Sequence, residues 1–106
     1  MNESFTVNIY TSLNQKINHS LLYEHLLKWA KDNQVFSVNV FKAIAGFEKK
    51  GHIKEEHFID MGTDVPIMIS FILEKSHKDQ LISFLKKEKK ALFYTISTVS
   101  CGFLEG

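Results

Sequence analysis

The chain has 106 residues, 44% of them apolar and 24% charged, with a net charge of +1. That is enough for one domain around one core, it argues against a disordered chain, and it excludes a general binder of polyanions. All 13 basic residues are lysines, so the bidentate guanidinium that usually reads guanine is missing, which argues against sequence-specific DNA recognition. Cys101 is the only cysteine, so no intrachain disulfide can form.

Phe5 to Tyr10 alternates, with Phe5, Val7 and Ile9 on one side, and reads as a strand. The polar stretch Thr11 to Asn18 reads as a loop, with Asn18 or Ser20 placed to cap the helix that follows. His19 to Asp32 carries Leu22, Leu26, Trp29 and Ala30 at helical spacing, and Asn33 is a fitting stop. Trp29 in such a stripe reads as core. Val35 to Ala45 reads as the second strand, with Phe36, Val38, Val40 and Ile44 sharing a face that Lys42 interrupts. The amine of Lys42 must reach water, a carboxylate or a ligand.

Val65 to Leu73 is the most apolar run. Ile67, Ile69, Phe71 and Leu73 share one face, and Met68, Ser70 and Ile72 the other, so both faces call for cover. Ser76 to Lys90 reads as a second helix with Leu81, Ile82 and Leu85 inward, and Ser76 with Asp79 makes a weak capping start. It ends in Lys86, Lys87, Glu88, Lys89 and Lys90, cations that suit a helix C-terminus and would also suit a phosphate. Leu92 to Cys101 alternates as a last strand. The order strand–helix–strand, long connection, strand–helix–strand predicts an α+β domain over residues 1–106. Its fold is ferredoxin-like, βαββαβ, an antiparallel sheet with both helices on one face. Two helices cover one side only, so the other side needs a partner.

Between the second and third strands lies the long loop 46–64, and connections of this length in small domains are usually functional or disordered. Gly46 and Gly51 would let backbone N–H groups approach an anion closely. Lys42, Lys49, Lys50 and His52 add charge, with Lys89 and Lys90 from the helix end, and Phe47 can stack on a base or pack beneath the loop. His52 and His57 lie near loop carboxylates and form an alternative, a divalent-metal site. No nucleophile-elbow or Cys–His context is present, so catalysis is not expected. The third strand lacks the basic-aromatic motif of RNA-binding sheets, so no nucleic acid is expected. The N-terminus has no signal-peptide pattern and no apolar run approaches the ~20 residues of a membrane span, so a soluble, cytoplasmic protein is expected.

The run from Leu22 to Lys54, with Ile44-Ala45-Gly46-Phe47, Gly51, Ile53 and then Asp64-Val65-Pro66, resembles the PII-like proteins of the domain of unknown function 190 family. Members usually carry Arg-Gly where this chain has Lys42-Ala43, and glycines where it has Glu48, Gln34 and Ser37. The resemblance implies a homotrimer whose helix-free faces turn inward. Small effectors, often nucleotides, then sit between subunits, and an adenine nucleotide is one candidate. It further implies that the loop changes order on binding and engages a protein partner, a membrane transporter being one candidate.

Overall fold

A computed structural model describes residues 3–49, 56–58, 64–88 and 91–106. The strands are β1 (Ser4–Ser12), β2 (Lys16–Ile17), β3 (Ser20–Leu21), β4 (Ser37–Lys42), β5 (Phe47–Lys49), β6 (Glu56–Phe58), β7 (Pro66–Glu74) and β8 (Phe93–Val99). The helices are α1 (Leu22–Asp32), between β3 and β4, and α2 (Lys75–Lys87), between β7 and β8. The main sheet has four strands in the order β4-β7-β1-β8, every neighbouring pair antiparallel. This is the expected ferredoxin-like βαββαβ arrangement.

Alternation sets the two faces. Val7 and Ile9 of β1, with Ile67, Ile69, Phe71 and Leu73 of β7, are buried against Leu22, Leu26 and Ala30 of α1 and Leu81 and Leu85 of α2. Trp29 lies edge-on to Phe71, ring centroids 6.1 Å apart, so the expected core role of the tryptophan holds. No helix among the described residues is long and apolar enough to cross a membrane.

The start of α1 differs from the sequence reading. Asn18 (φ 48) and His19 (φ 71) are both left-handed and form the two-residue turn of a small hairpin, in which Lys16 pairs with Leu21 and Ile17 with Ser20. Positive φ at both central positions matches the right-handed twist of a hairpin, and Asn tolerates it. Asn18 and Ser20 are therefore used in the turn, not as caps; Ser20 Oγ donates to the Ile17 carbonyl at 3.0 Å. The residue before the helix is Leu21, which has no capping side chain, and the Leu22 N–H donates to the Gln15 carbonyl at 2.8 Å.

Asn33 does end α1, but not in the left-handed conformation: its φ is −92, and Gln34 carries the positive value, 53. The Gln34 N–H donates to the Lys31 carbonyl and the Val35 N–H to the Ala30 carbonyl, each at 3.2 Å. These two bonds close a Schellman turn, which satisfies carbonyls the helix leaves open. In α2 the helix begins one residue before Ser76, so the Ser76–Asp79 cap does not form. Ser76 Oγ donates instead to Glu74 Oε1 (3.2 Å), and Asp79 pairs with Lys78 (3.0 Å) and Lys75 (3.2 Å).

β4 is shorter than the expected Val35 to Ala45. Phe36 precedes it and Ile44 follows it, 47% and 89% exposed, so neither shares the buried face of Val38 and Val40. The stretch 46–64 is also not a plain loop. β5 and β6 pair antiparallel within it, Phe47 opposite Phe58, Glu48 opposite His57 and Lys49 opposite Glu56.

Candidate functional site

The helix-free face is built in rows by the register of four strands. At the end where the 46–64 connection leaves, Phe41, Met68, Tyr10 and Phe93 stand side by side across β4, β7, β1 and β8. The next row is Asn39, Ser70, Asn8 and Thr95, and the one after is Ser37, Ile72, Thr6 and Ser97. Reading β7 alone suggests an apolar face. The register corrects that: Ser70 lies in a row that is polar throughout, because all four strands place their small polar residues there. Within that row Asn8 Nδ2 donates to Thr95 Oγ1 at 3.2 Å, and Asn8 Oδ1 is buried without a partner among the described residues.

The aromatic row floors an open cleft of about 520 Å³, walled by Lys42, Ala43, Ala45, Gly46 and Pro66. The local chain path follows from one bond. After β4 ends, the Ala43 N–H donates to the Pro66 carbonyl at 2.8 Å, which holds the two ends of the connection together over the sheet. Phe41 and Phe93 are each 52% exposed, and Tyr10 contacts Phe93 with ring centroids 5.4 Å apart and planes tilted by 49°. Lys42 is exposed and, among the described residues, is the only charged one lining this cleft. Among the described residues the site is thus an apolar, aromatic floor with one ammonium at its rim, which suits a planar or apolar group carrying a negative charge. A Cβ added at Gly46 would meet nothing within 4 Å, so close packing within the chain does not require that glycine.

Of the residues expected at a ligand site, Lys42 and Gly46 lie together at this cleft. Phe47 and Lys49 continue from it in β5. Lys50, Gly51, His52, Lys89 and Lys90 lie outside the described residues. For the metal alternative, His57 is in β6, His52 is outside the described residues, and among the described residues no three His, Cys, Asp or Glu side chains come together to hold a metal.

The sequence reading missed Tyr10, Phe41, Met68 and Phe93 as a unit. They are far apart in the chain and only register joins them. It also missed a second open cleft of about 490 Å³ at the opposite end of the same face, lined by Phe36, Ile72, Glu74, Ser4, Cys101 and Phe103. There Cys101 Sγ donates to Ser4 Oγ at 3.5 Å. The cysteine, two residues past the end of β8, is thus held against the first residue of β1. The available signal was Phe103, an aromatic beyond the last strand pattern; Phe36 was hidden because it fits the alternation of the second strand.

The chain is 25% identical over 84 residues to the UPF0166 protein of Aquifex aeolicus (strain VF5), a match covering 79% of this chain and 80% of that protein. The family model of DUF190, described as "Uncharacterized ACR", matches residues 4–101, which takes in the whole four-stranded sheet, both helices and both walls of the aromatic cleft. On that match the chain belongs to the DUF190 family.

Proposed function

We propose that the protein is a PII-like, homotrimeric regulatory protein that binds a small anionic effector and does not catalyse a reaction. The effector, an adenine nucleotide being the leading candidate, occupies the aromatic cleft where the helix-free faces of neighbouring copies meet. Binding orders the 46–64 segment, and that segment engages or releases a protein partner, such as a membrane transporter on the cytoplasmic side.

One observation supports this reading above the others. The aromatic row and the Lys42 ammonium lie together on the uncovered face, at the point where the long connection leaves the sheet. A ligand there touches the base of that connection directly, at Ala45 and Gly46. Half-exposed Phe41 and Phe93 are large apolar groups that a second copy or a ligand base would desolvate, at about 25 cal/mol per Å² removed from water.

The test is a panel of nucleotides and divalent metals read by melting temperature, on the wild type and on Lys42→Ala. A ligand that binds only the folded state adds RT ln(1 + [L]/Kd), about 2.7 kcal/mol at a hundred times Kd. The expected result is a rise in melting temperature with one anionic class, no turnover of that ligand, and a weaker shift in Lys42→Ala. No shift with any anion sinks the sensor reading, and a shift with metals alone, lost in a His52→Ala, His57→Ala double variant, replaces it with the metal reading.

A further inference from the structure

The end of the helix-free face farthest from Lys42 carries a charge of the opposite sign. Register sets Ser37 beside Ile72 there, and Ser4 beside Glu74. After β8 the chain closes one side of this end. The Cys101 thiol is tied to Ser4 Oγ at 3.5 Å, and Gly102 and Phe103 follow it into the wall. With Phe36 they bound the open cleft of about 490 Å³. Its apolar walls are Phe36, Ile72 and Phe103, and among the described residues Glu74 is the only charged one lining it.

The surroundings of Glu74 leave its charge unmatched. It is the residue before α2, yet its side chain does not cap the helix. Its Oε1 accepts from Ser76 Oγ at 3.2 Å, and among the described residues no ammonium pairs with it. The two lysines nearest in sequence are engaged elsewhere. Lys75 and Lys78 both turn to Asp79, at 3.2 and 3.0 Å, and the Lys78 ammonium also lies 4.7 Å from the centre of the Phe5 ring. A carboxylate beside apolar walls attracts a counter-ion more strongly than one in open water. Phenyl rings add to this, since their faces attract a cation held within about 6 Å of the ring centre. One carboxylate, two phenyl rings and an isoleucine therefore fit a cation with an apolar body. The same carboxylate repels an anion.

We infer that this cleft binds a small organic cation, an ammonium carrying an aryl or branched alkyl group. Glu74 is its counter-ion, and Phe36, Ile72 and Phe103 surround the apolar part. The cleft volume falls within the range of about 300–1,000 Å³ usual for small-molecule sites. The two clefts of the helix-free face thus sort ligands by charge, with Lys42 at one end and Glu74 at the other. The amine site and the anionic effector site use different residues, so either one survives the loss of the other.

NMR titration of the wild-type protein with phenethylamine, phenethyl alcohol and hydrocinnamate tests this. The amine is expected to give saturable shifts at the amides of Phe36, Ser37, Ile72, Cys101 and Phe103. Binding is expected to be about fivefold weaker for the alcohol, and for the amine on Glu74→Gln, as for one half-exposed ion pair. Hydrocinnamate is expected not to bind. Phe103→Ala, in the exposed tail, is expected to keep the fold and weaken the amine. Equal response to amine and alcohol, undiminished amine binding in Glu74→Gln, or shifts confined to other residues overturns the inference. Cys101 gives a second readout by disulfide exchange. Its thiolate attacks cystamine, the cystamine S–S bond breaks, a mixed disulfide forms, and the departing cysteamine thiolate takes up the proton that Cys101 lost. With cystamine and its hydroxyl analogue in competition, the folded protein is expected to favour the ammonium-bearing adduct about fivefold over the ratio found in urea. Glu74→Gln is expected to erase that preference, and its persistence there counts against Glu74 as the counter-ion. If Cys101 of the folded protein resists both reagents and the amine shifts no amide, another copy fills the cleft and the inference falls.

Discussion

Tyr10 on β1 and Phe93 on β8 are direct partners in register, with their ring centroids 5.4 Å apart and their planes tilted by 49°. This pair joins a central strand to an edge strand at the floor of the cleft. An exposed cross-strand aromatic pair contributes only about 0.2–1 kcal/mol to a fold. Phe93→Ala is therefore expected to shift the denaturation midpoint of the isolated domain slightly, while lowering effector affinity and assembly at least tenfold. Parallel chemical denaturation and sedimentation separate the two effects. Equal losses in both would mean that the ring serves the fold alone.

Gln34 holds a left-handed conformation, φ 53, in the turn between α1 and β4. A side chain there costs about 1–2 kcal/mol, while a glycine loses about 0.5–1 kcal/mol more chain entropy on folding. Gln34→Gly is expected to stabilise the protein by up to about 1 kcal/mol, and Gln34→Val to destabilise it by at least that much. Urea denaturation curves of the two variants check the ordering.

Phe71 of β7 is fully buried on the helix-covered face of the sheet and touches Trp29 of α1 edge-on. Phe71→Ala is expected to cost about 3–5 kcal/mol, since the void lies between two layers that cannot both close on it. Ile72→Ala, one residue along on the other face, is expected to cost much less. Trp29 fluorescence reports the unfolding of both variants.

The Asp79 carboxyl is held below its ordinary value of 3.8 by a hydrogen bond from Lys78, and next by one from Lys75. A depressed carboxyl contributes stability that is present above its unfolded pKa and lost as the pH falls through the folded one. The loss is thus confined to pH below about 4, and it is small, because the group is exposed and salt screens it. Lys78→Met is expected to move the Asp79 titration upward by NMR, more than Lys75→Met does, and high salt is expected to narrow that difference.

The main elements were legible because their side chains alternate or recur within a short window. Val7 and Ile9, Ile67 to Leu73, and Leu22, Leu26 and Ala30 each announce a period locally. The errors came where a period ran past its element. Phe36 and Ile44 extend the alternation of β4 although the chain has already left the sheet on both sides. Asn18 and His19 look like a helix entry because nothing in residue type alone distinguishes a cap from a left-handed turn. Of the site, Lys42 and Gly46 were legible as a charge out of place and a turn residue. The aromatic floor was not: Tyr10, Phe41 and Phe93 become neighbours only through hydrogen bonding between strands far apart in the chain.

The band of Asn39, Ser70, Asn8 and Thr95 that follows the aromatic row acts as a vernier. A sheet greasy from end to end could slide against a neighbour at little cost. Against a second copy, a slip of one rung toward the aromatic row, about 7 Å along the strands, would set carboxamides and hydroxyls against phenyl rings, and each stranded polar group would then cost about 1–3 kcal/mol. A copy meeting this surface is thereby expected to resist sliding toward the rings.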